Sequence, residues 1–207
     1  MYIPDHFQMK NQDDIARFIA AYPFATLISV TTGDVTHVPL MCRDDGVIEG
    51  HMARNNPHCK AVEREEKALA VFHGPHGYVS PTWYEAGRAA VPTWNYAAIH
   101  VHGTLRRLAS AGLRDCLHRL VEPFEAGRVP RWRMEDAPET FLTTLAAQIV
   151  GFSLEIDRIE AKFKLGQNRS LADRQGTIAG LKNSAYATDH ELAAFMERYL
   201  ADRAATS

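Results

Sequence analysis

The stretch VPTWNYAAIHVHGTL, Val91 to Leu105, decides the fold. From Ala97 onward it alternates apolar and polar residues, as a β-strand does when one face is buried. The preceding residues, Pro92 to Tyr96, place two aromatic rings beside polar side chains. The stretch therefore predicts a strand that is anchored in a core at one end and presents a binding surface at the other.

The composition is that of an ordinary globular protein. Of 207 residues, 46% are hydrophobic and 23% are charged, and the length predicts one domain with a helical appendage. A formal net charge of −2 argues against a broad surface for nucleic acid or an anionic membrane. The three cysteines form no CxxC pair, and no apolar run reaches membrane-spanning length. We therefore expect a cytoplasmic protein with no membrane partner.

The rest of the chain alternates between strand and helix patterns. Ile15, Phe18 and Ile19 recur at helical spacing, and β-branched residues around the turn Gly33-Asp34 predict a hairpin. Residues 76–92 are predicted to form a long aromatic loop, and residues 173–183 and 188–204 to form helices. About six strands with helices before, between and after them predict an α+β fold whose strands close into a small barrel.

One candidate site lies in EGHMARNNPHCK, Glu49 to Lys60. Arg54 ends a predicted strand, Asn55 follows, and Lys60 lies about one turn into a predicted helix. Two cations beside free backbone amides favour an anion, and a phosphate monoester is the natural guest. The alternative is a solvated loop with surface cations.

Two further segments carry groups that suit a flat heterocycle. FHGPHGYVSPTWYE crowds Tyr78, Trp83 and Tyr84 into a predicted loop, where they either wall a ligand or pack on the protein's own core. AKFKLGQNRS brings two lysines and then Gln167, Asn168 and Arg169. Side-chain amides match the alternating donors and acceptors of a ring imide, and a cation there tunes flavin electronics. The alternative is a polar strand end.

The histidines open another alternative. His73 and His76 form an HxxH pattern, and His100 and His102 share one strand face, a spacing that suits a metal or haem or simple hydrogen bonding. No zinc motif, nucleophile elbow or paired-acid signature is present in the sequence. We therefore assign no metal site and no catalytic residue.

Several separated motifs resemble the PaiB family of FMN-binding negative transcriptional regulators. They occur in order from Met1 to about Leu181: MYIPDHF, YPFATLIS, GHMARNNPH, FHGPHGYVSPTWY, VPTWNYAAIHVHG and IVGFSLEIDRIEAKFKLGQNRS. The chain departs from the family pattern at Gly166, where a serine is expected, and at His102, where a tyrosine is expected.

The resemblance implies an FMN-binding split β-barrel like that of pyridoxamine-phosphate oxidase, with residues 1–170 as the barrel and 171–207 as a helical extension packed on it. It also implies a homodimer with FMN as the cofactor. The residues expected to contact FMN are Arg54, Asn55, Lys60, Ser80, Trp83, Trp94, Asn95, Gln167, Asn168 and Arg169.

Three functions follow as expectations. The first is a PaiB-type negative transcriptional regulator, for which the family implies DNA although the sequence has no evident DNA-reading motif. The second is an FMN-dependent oxidoreductase, and the third is a haem-binding or haem-degrading split barrel.

Overall fold

Six strands and six helices form in the part of the chain that the computed structural model describes, residues 1–85 and 90–205. Residues 86–89 of the predicted aromatic loop and residues 206–207 of the predicted extension lie outside it. The strands are β1 (Phe24–Ser29), β2 (Val35–Cys42), β3 (Ile48–Ala53), β4 (Lys67–Val79), β5 (Thr93–Arg107) and β6 (Ile149–Lys164). The helices are α1 (Gln12–Ala21), α2 (Cys59–Glu63), α3 (Ser110–Glu125), α4 (Glu139–Ala146), α5 (Leu171–Lys182) and α6 (Ala187–Ala205).

The strands close into an antiparallel barrel in the order β1-β2-β3-β6-β5-β4. In the predicted hairpin, Phe24 of β1 lies opposite Pro39 of β2. On its other side β1 pairs with β4, and β3 pairs with β6 so that Ile48 lies opposite Leu154. The predicted α+β class with a six-stranded barrel is confirmed.

The chain forms two compact units, and β4, β5 and β6 each run from one into the other. The first unit comprises Met1–Asn11, His73–Ala98 and the chain from Glu160 onward; the second comprises Gln12–Phe72 and Ile99–Ile159. In the second unit alternate side chains of the strands point inward, and burial of these apolar groups stabilises the unit. Its fully buried side chains include Leu27, Leu40, Ile48, Phe72, Ile99, Phe152 and Leu154.

In the first unit the last two helices pack on strand residues. The ring of Phe163 on β6 lies 5.4 Å from that of Phe195 and 6.0 Å from that of Tyr199, both on α6. The N-terminal segment joins the same strand, since Met9 N donates to Ala161 O at 3.0 Å. The predicted domain boundary at residue 170 stays a prediction.

The aromatic loop begins later than the sequence predicts. β4 continues to Val79, with Gly77 and Val79 buried and His76 and Tyr78 exposed. Gly77 allows close packing, because a Cβ there would lie 2.8 Å from Asp189 Oδ1 and 3.1 Å from a methyl of Leu192. Starting the loop at His76 was therefore wrong, and Tyr78 is a strand residue.

The three cysteines are free thiols: Cys42 is half-buried, and Cys59 and Cys116 are buried. Burial raises the pKa of each thiol. The shift is large for Cys116 on α3, whose pKa rises to about 12 through burial and the nearby carboxylate of Glu49. All three sulfurs are therefore protonated at neutral pH.

A buried ion pair joins strand β3 to helix α3. Glu49 is fully buried, and Arg119 donates from Nε to Oε1 at 2.5 Å and from Nη2 to Oε2 at 3.0 Å. The side chain of Arg119 is 42% exposed, so the pair bridges the core and the solvent. Two parallel hydrogen bonds fix the helix over the strand at this point.

We predict that Arg119→Met lowers the free energy of unfolding by about 3 kcal/mol, because it leaves the carboxylate of Glu49 buried without its partner. Urea denaturation at neutral pH measures the change. Arg114→Met on the same helix is the control, since it breaks an exposed pair with Glu139 and should change stability little. Equal stabilities of the two variants would contradict the prediction.

Candidate functional site

The first set of predicted contacts lies in the second unit, after β3. The guanidinium of Arg54 donates from Nε to Ala147 O at 2.7 Å and from Nη2 to Ile149 O at 3.0 Å. These carbonyls fix the position of the charge and occupy part of its donor capacity. Asn55 and Lys60 are exposed. The segment thus presents one fixed cation, one amide and one mobile cation, a set of donors that fits a phosphate.

A buried histidine, His58, lies between Asn55 and Lys60 in sequence and holds this segment to strand β2. The Nδ1 atom of His58 lies 3.1 Å from Thr36 Oγ1, and its backbone N donates to Asn56 Oδ1 at 2.9 Å. Asn56 Nδ2 in turn donates to Thr36 Oγ1 at 3.2 Å. His58 is fully buried, and no described residue gives its Nε2 a hydrogen-bond partner. Sequence reasoning missed His58 because its role depends on Thr36, 22 residues earlier.

We predict that His58 makes the protein less stable as the pH falls from 7 to 5. Burial lowers the pKa of His58 in the folded protein below its ordinary value of 6.5. As the pH falls, His58 is therefore protonated in the unfolded chain before it is protonated in the folded one, which favours unfolding. Urea denaturation at pH 7, 6 and 5 should show a smaller loss of stability in His58→Gln than in the wild type. His37→Gln, at an exposed histidine, controls for the loss of an imidazole, and equal pH dependence in all three proteins would refute the prediction.

The second set lies in the first unit and centres on an exposed indole. Trp94 is 54% exposed, and its ring lies 6.4 Å from that of His76 and 6.3 Å from that of Tyr78, which is 46% exposed. We call these three rings the aromatic face. The His76 ring is inclined by 30° to the Trp94 ring and the Tyr78 ring by 79°, so the indole of Trp94 is the flat apolar area offered to a planar ligand.

A lysine contacts the backbone of the strand that carries Trp94. The ammonium of Lys164 donates to Thr93 Oγ1 at 2.5 Å and to Trp94 O at 2.5 Å. Burial and the neighbouring charge of Lys162 lower the pKa of Lys164. Lys162 itself is buried, donates to Tyr2 O at 3.0 Å, and lies over the ring of Tyr96. Of these two lysines, Lys164 is the one whose ammonium contacts Trp94, through the backbone oxygen.

Asn95 does not share the surface of Trp94. Consecutive residues of a strand point to opposite faces, and Asn95 is 3% exposed. Its Nδ2 lies 3.7 Å from the sulfur of Met196 on α6. Asn95 thus faces the interior of the first unit.

Trp83 packs against helix α5. A Cβ added at Gly180 would lie 2.3 Å from the indole of Trp83, and one at Gly176 would lie 2.2 Å from its backbone oxygen. Two glycines one turn apart thus form a notch that receives the residue. Ser80 begins the adjoining 3-10 turn, and its Oγ accepts from Thr82 N at 3.3 Å.

The amide residues after β6 hold their own turn together. Gln167 Oε1 accepts from Leu165 N at 2.8 Å, and its Nε2 donates to Phe163 O at 2.5 Å. Arg169 lies 4.6 Å over the ring of Tyr84, whereas Asn168 is exposed. The unexpected Gly166 has φ +80°, a conformation that a serine would adopt only with strain.

The structure therefore groups the predicted residues by unit. Arg54, Asn55 and Lys60 lie together in the second unit, and the other seven lie in the first. His102 in the second unit contacts Arg158, with Nε2 at 3.2 Å from Nη2, and the haem alternative stays a prediction. The FMN contacts predicted from the sequence do not include His76 or Lys164. In the structure the ring of His76 lies near that of Trp94, and the ammonium of Lys164 donates to the backbone oxygen of Trp94.

Comparison with known proteins decides the family. Residues 1–158 match the family model described as "Putative FMN-binding domain". The chain is also 34% identical over 202 residues to "Protease synthase and sporulation protein PAI 2" of Bacillus subtilis (strain 168), covering 95% of this chain and 97% of the relative. The chain belongs to the PaiB family of FMN-binding proteins. This membership confirms the predicted family and the prediction of FMN as its cofactor.

Solved structures resemble this PaiB-family chain in fold. The FAD and heme binding protein from Mycobacterium smegmatis matches with a TM-score of 0.61 and 18% identity, covering 77% of this chain and 74% of that one. The flavocytochrome Anf3 from Azotobacter vinelandii matches with a TM-score of 0.55 and 16% identity, covering 79% and 75%. Within the described residues, no helix has the length and apolar character needed to cross a membrane.

Proposed function

We propose that this PaiB-family protein holds the isoalloxazine ring of FMN against the aromatic face and regulates transcription negatively through its flavin state. The observation that carries the proposal is the exposed indole of Trp94, flanked by His76 and Tyr78 and backed by Lys164. When bound, FMN supplies electron transfer at this ring. Trp94 offers a flat apolar surface, and Lys164 places a positive charge beside it, which favours the anionic form of a ring.

As a separate proposal for the second unit, Arg54, Asn55 and Lys60 bind the phosphate of FMN. The two carbonyl contacts of Arg54 hold its guanidinium in place before a ligand arrives, which reduces the entropy lost on binding. Lys60 adds a charge that is exposed and free to move toward the phosphate. Because Ser80, Trp83, Asn95 and Gln167 use their polar or ring atoms within the protein, we assign them positioning roles, and Asn168 and Arg169 remain proposed contacts.

We predict that the two parts of the site respond differently to FMN and to riboflavin, which lacks the phosphate. Trp94→Ala should weaken both ligands about two- to tenfold, since stacked aromatic contacts contribute about 0.5–1.5 kcal/mol. Lys60→Ala should weaken FMN alone, by about 1.5–3 kcal/mol for a charge-assisted hydrogen bond. Titration of flavin fluorescence measures both effects.

Tyr186→Ala, at a tyrosine that is 71% exposed, is the control and should bind both ligands normally. Unchanged affinity of Trp94→Ala for riboflavin would overturn the ring assignment. Unchanged affinity of Lys60→Ala for FMN would overturn the phosphate assignment and leave the ring assignment intact.

The regulatory part of the proposal rests on the family and on the relative named for protease synthesis and sporulation. The surface chemistry favours an indirect route. The segment 171–205, which contains α5 and α6, carries five acidic and four basic residues. A DNA-reading helix pair normally offers an excess of cations to the phosphate backbone. We therefore propose that a protein partner or the redox state of the flavin transmits the signal.

We predict that the protein alone does not retard its own promoter fragment in a gel-shift titration at physiological salt. The near balance of charge on α5 and α6 is the reason. A known helix-turn-helix repressor with its operator serves as the positive control. A specific shift at submicromolar protein would show direct repression instead, and bleaching of the bound flavin by NADPH would favour the oxidoreductase alternative.

We further propose that the protein is a cytoplasmic homodimer. Val30 and Val35 at the turn end of the β1–β2 hairpin are each more than half exposed, as is Phe24 at the other end, and exposed apolar side chains of this kind are typical of an interface between copies. Three free thiols are typical of a reducing compartment. Light scattering of the purified protein tests the dimer, and a monomer mass would exclude it.

A further inference from the structure

The second unit contains a cavity that the proposed FMN contacts do not explain. Its volume is about 690 Å³, within the range of ligand pockets in proteins. Residues of α3, of α4 and of the start of β6 line it, and all of its lining residues belong to the second unit. We call it the α3–α4 cavity.

The lining of the α3–α4 cavity is largely apolar. Leu113, Leu117 and Val121 recur every fourth residue along α3, so they form one stripe on the helix. Leu142 and Leu145 line it from α4, and Leu145 is 49% exposed. None of the residues of α4 is buried, although the helix carries several apolar side chains. An apolar body in the cavity would cover side chains that the protein itself leaves open to solvent.

Positive charge dominates the polar part of the lining. Arg54, Arg107 and Arg114 line the cavity together with one acid, Glu139. Glu139 accepts two hydrogen bonds from Arg114, at 2.5 and 2.9 Å, so those two charges compensate each other. Arg54 and Arg107 remain without a compensating acid in the lining. An apolar cavity with two uncompensated guanidinium groups favours an anionic ligand.

We propose that the α3–α4 cavity binds an aliphatic monocarboxylate, with the chain against the leucines and the carboxylate at Arg107, while Arg54, which also lines the cavity, is left to the phosphate. The tail loses contact with water, and the head group gains charge-assisted hydrogen bonds. A neutral or cationic amphiphile gains only the free energy of burying its apolar tail. The ligand is thereby distinguished by its charge as well as by its apolar chain.

Calorimetric titration of the intact protein with decanoate tests the proposal. Decanoate should bind at least tenfold more tightly than decanol or decyltrimethylammonium. Leu142→Trp should abolish the binding by filling the cavity, and Arg107→Gln should weaken it about tenfold. Arg128→Gln, which removes an exposed charge outside the lining, should bind decanoate as the wild type does.

Three results would overturn the proposal. Equal affinity for decanoate and decyltrimethylammonium would show that the arginines do not select the ligand. Competition between FMN and decanoate would assign the cavity to the flavin. Absence of decanoate binding, together with dissociation of a dimer by Leu142→Glu, would make the cavity part of a subunit interface. Because Arg107 is exposed, Arg107→Gln keeps the test valid even where Leu142→Trp perturbs folding.

Discussion

Every second side chain of a strand points to the same face, and this constraint governs what the barrel can present to a ligand. Along β5 it buries Asn95, Ile99 and Leu105 and turns Trp94 outward. Trp94 and Asn95 therefore cannot offer their side chains to one ligand. The same constraint makes Tyr78 of β4 a surface residue, and the binding surface follows from the register of the sheet.

The barrel was predictable because its signals are local. Alternation along β5 and β6, the turn at Gly33-Asp34 and the spacing of apolar residues in α1 each specify an element within a short window. The proposed phosphate contacts Arg54, Asn55 and Lys60 also lie within seven residues of sequence, and their assignment stays a prediction. The sequence thus predicted well the strands, turns and helices that short stretches of neighbouring residues specify.

The intramolecular partners of several candidate site residues could not be predicted from neighbouring sequence because they lie far away along the chain. Trp83 looked like a ligand wall, but glycines more than 90 residues later form a notch for it. The amide of Gln167 was predicted to contact FMN because it can both donate and accept hydrogen bonds. In the structure it does both within its own turn, to the backbone of Leu165 and Phe163. A polar group suited to a ligand is equally suited to a backbone, and only the fold shows which partner it has.

The three protonated thiols have a consequence for a protein that binds a flavin. Reduced flavins can pass electrons to oxygen, and the peroxide that results attacks thiolates far faster than thiols. Cys116, with its pKa near 12, is sealed beside the carboxylate of Glu49 and is a poor target for such damage. At neutral pH the chain therefore offers a peroxide no thiolate at Cys42, Cys59 or Cys116.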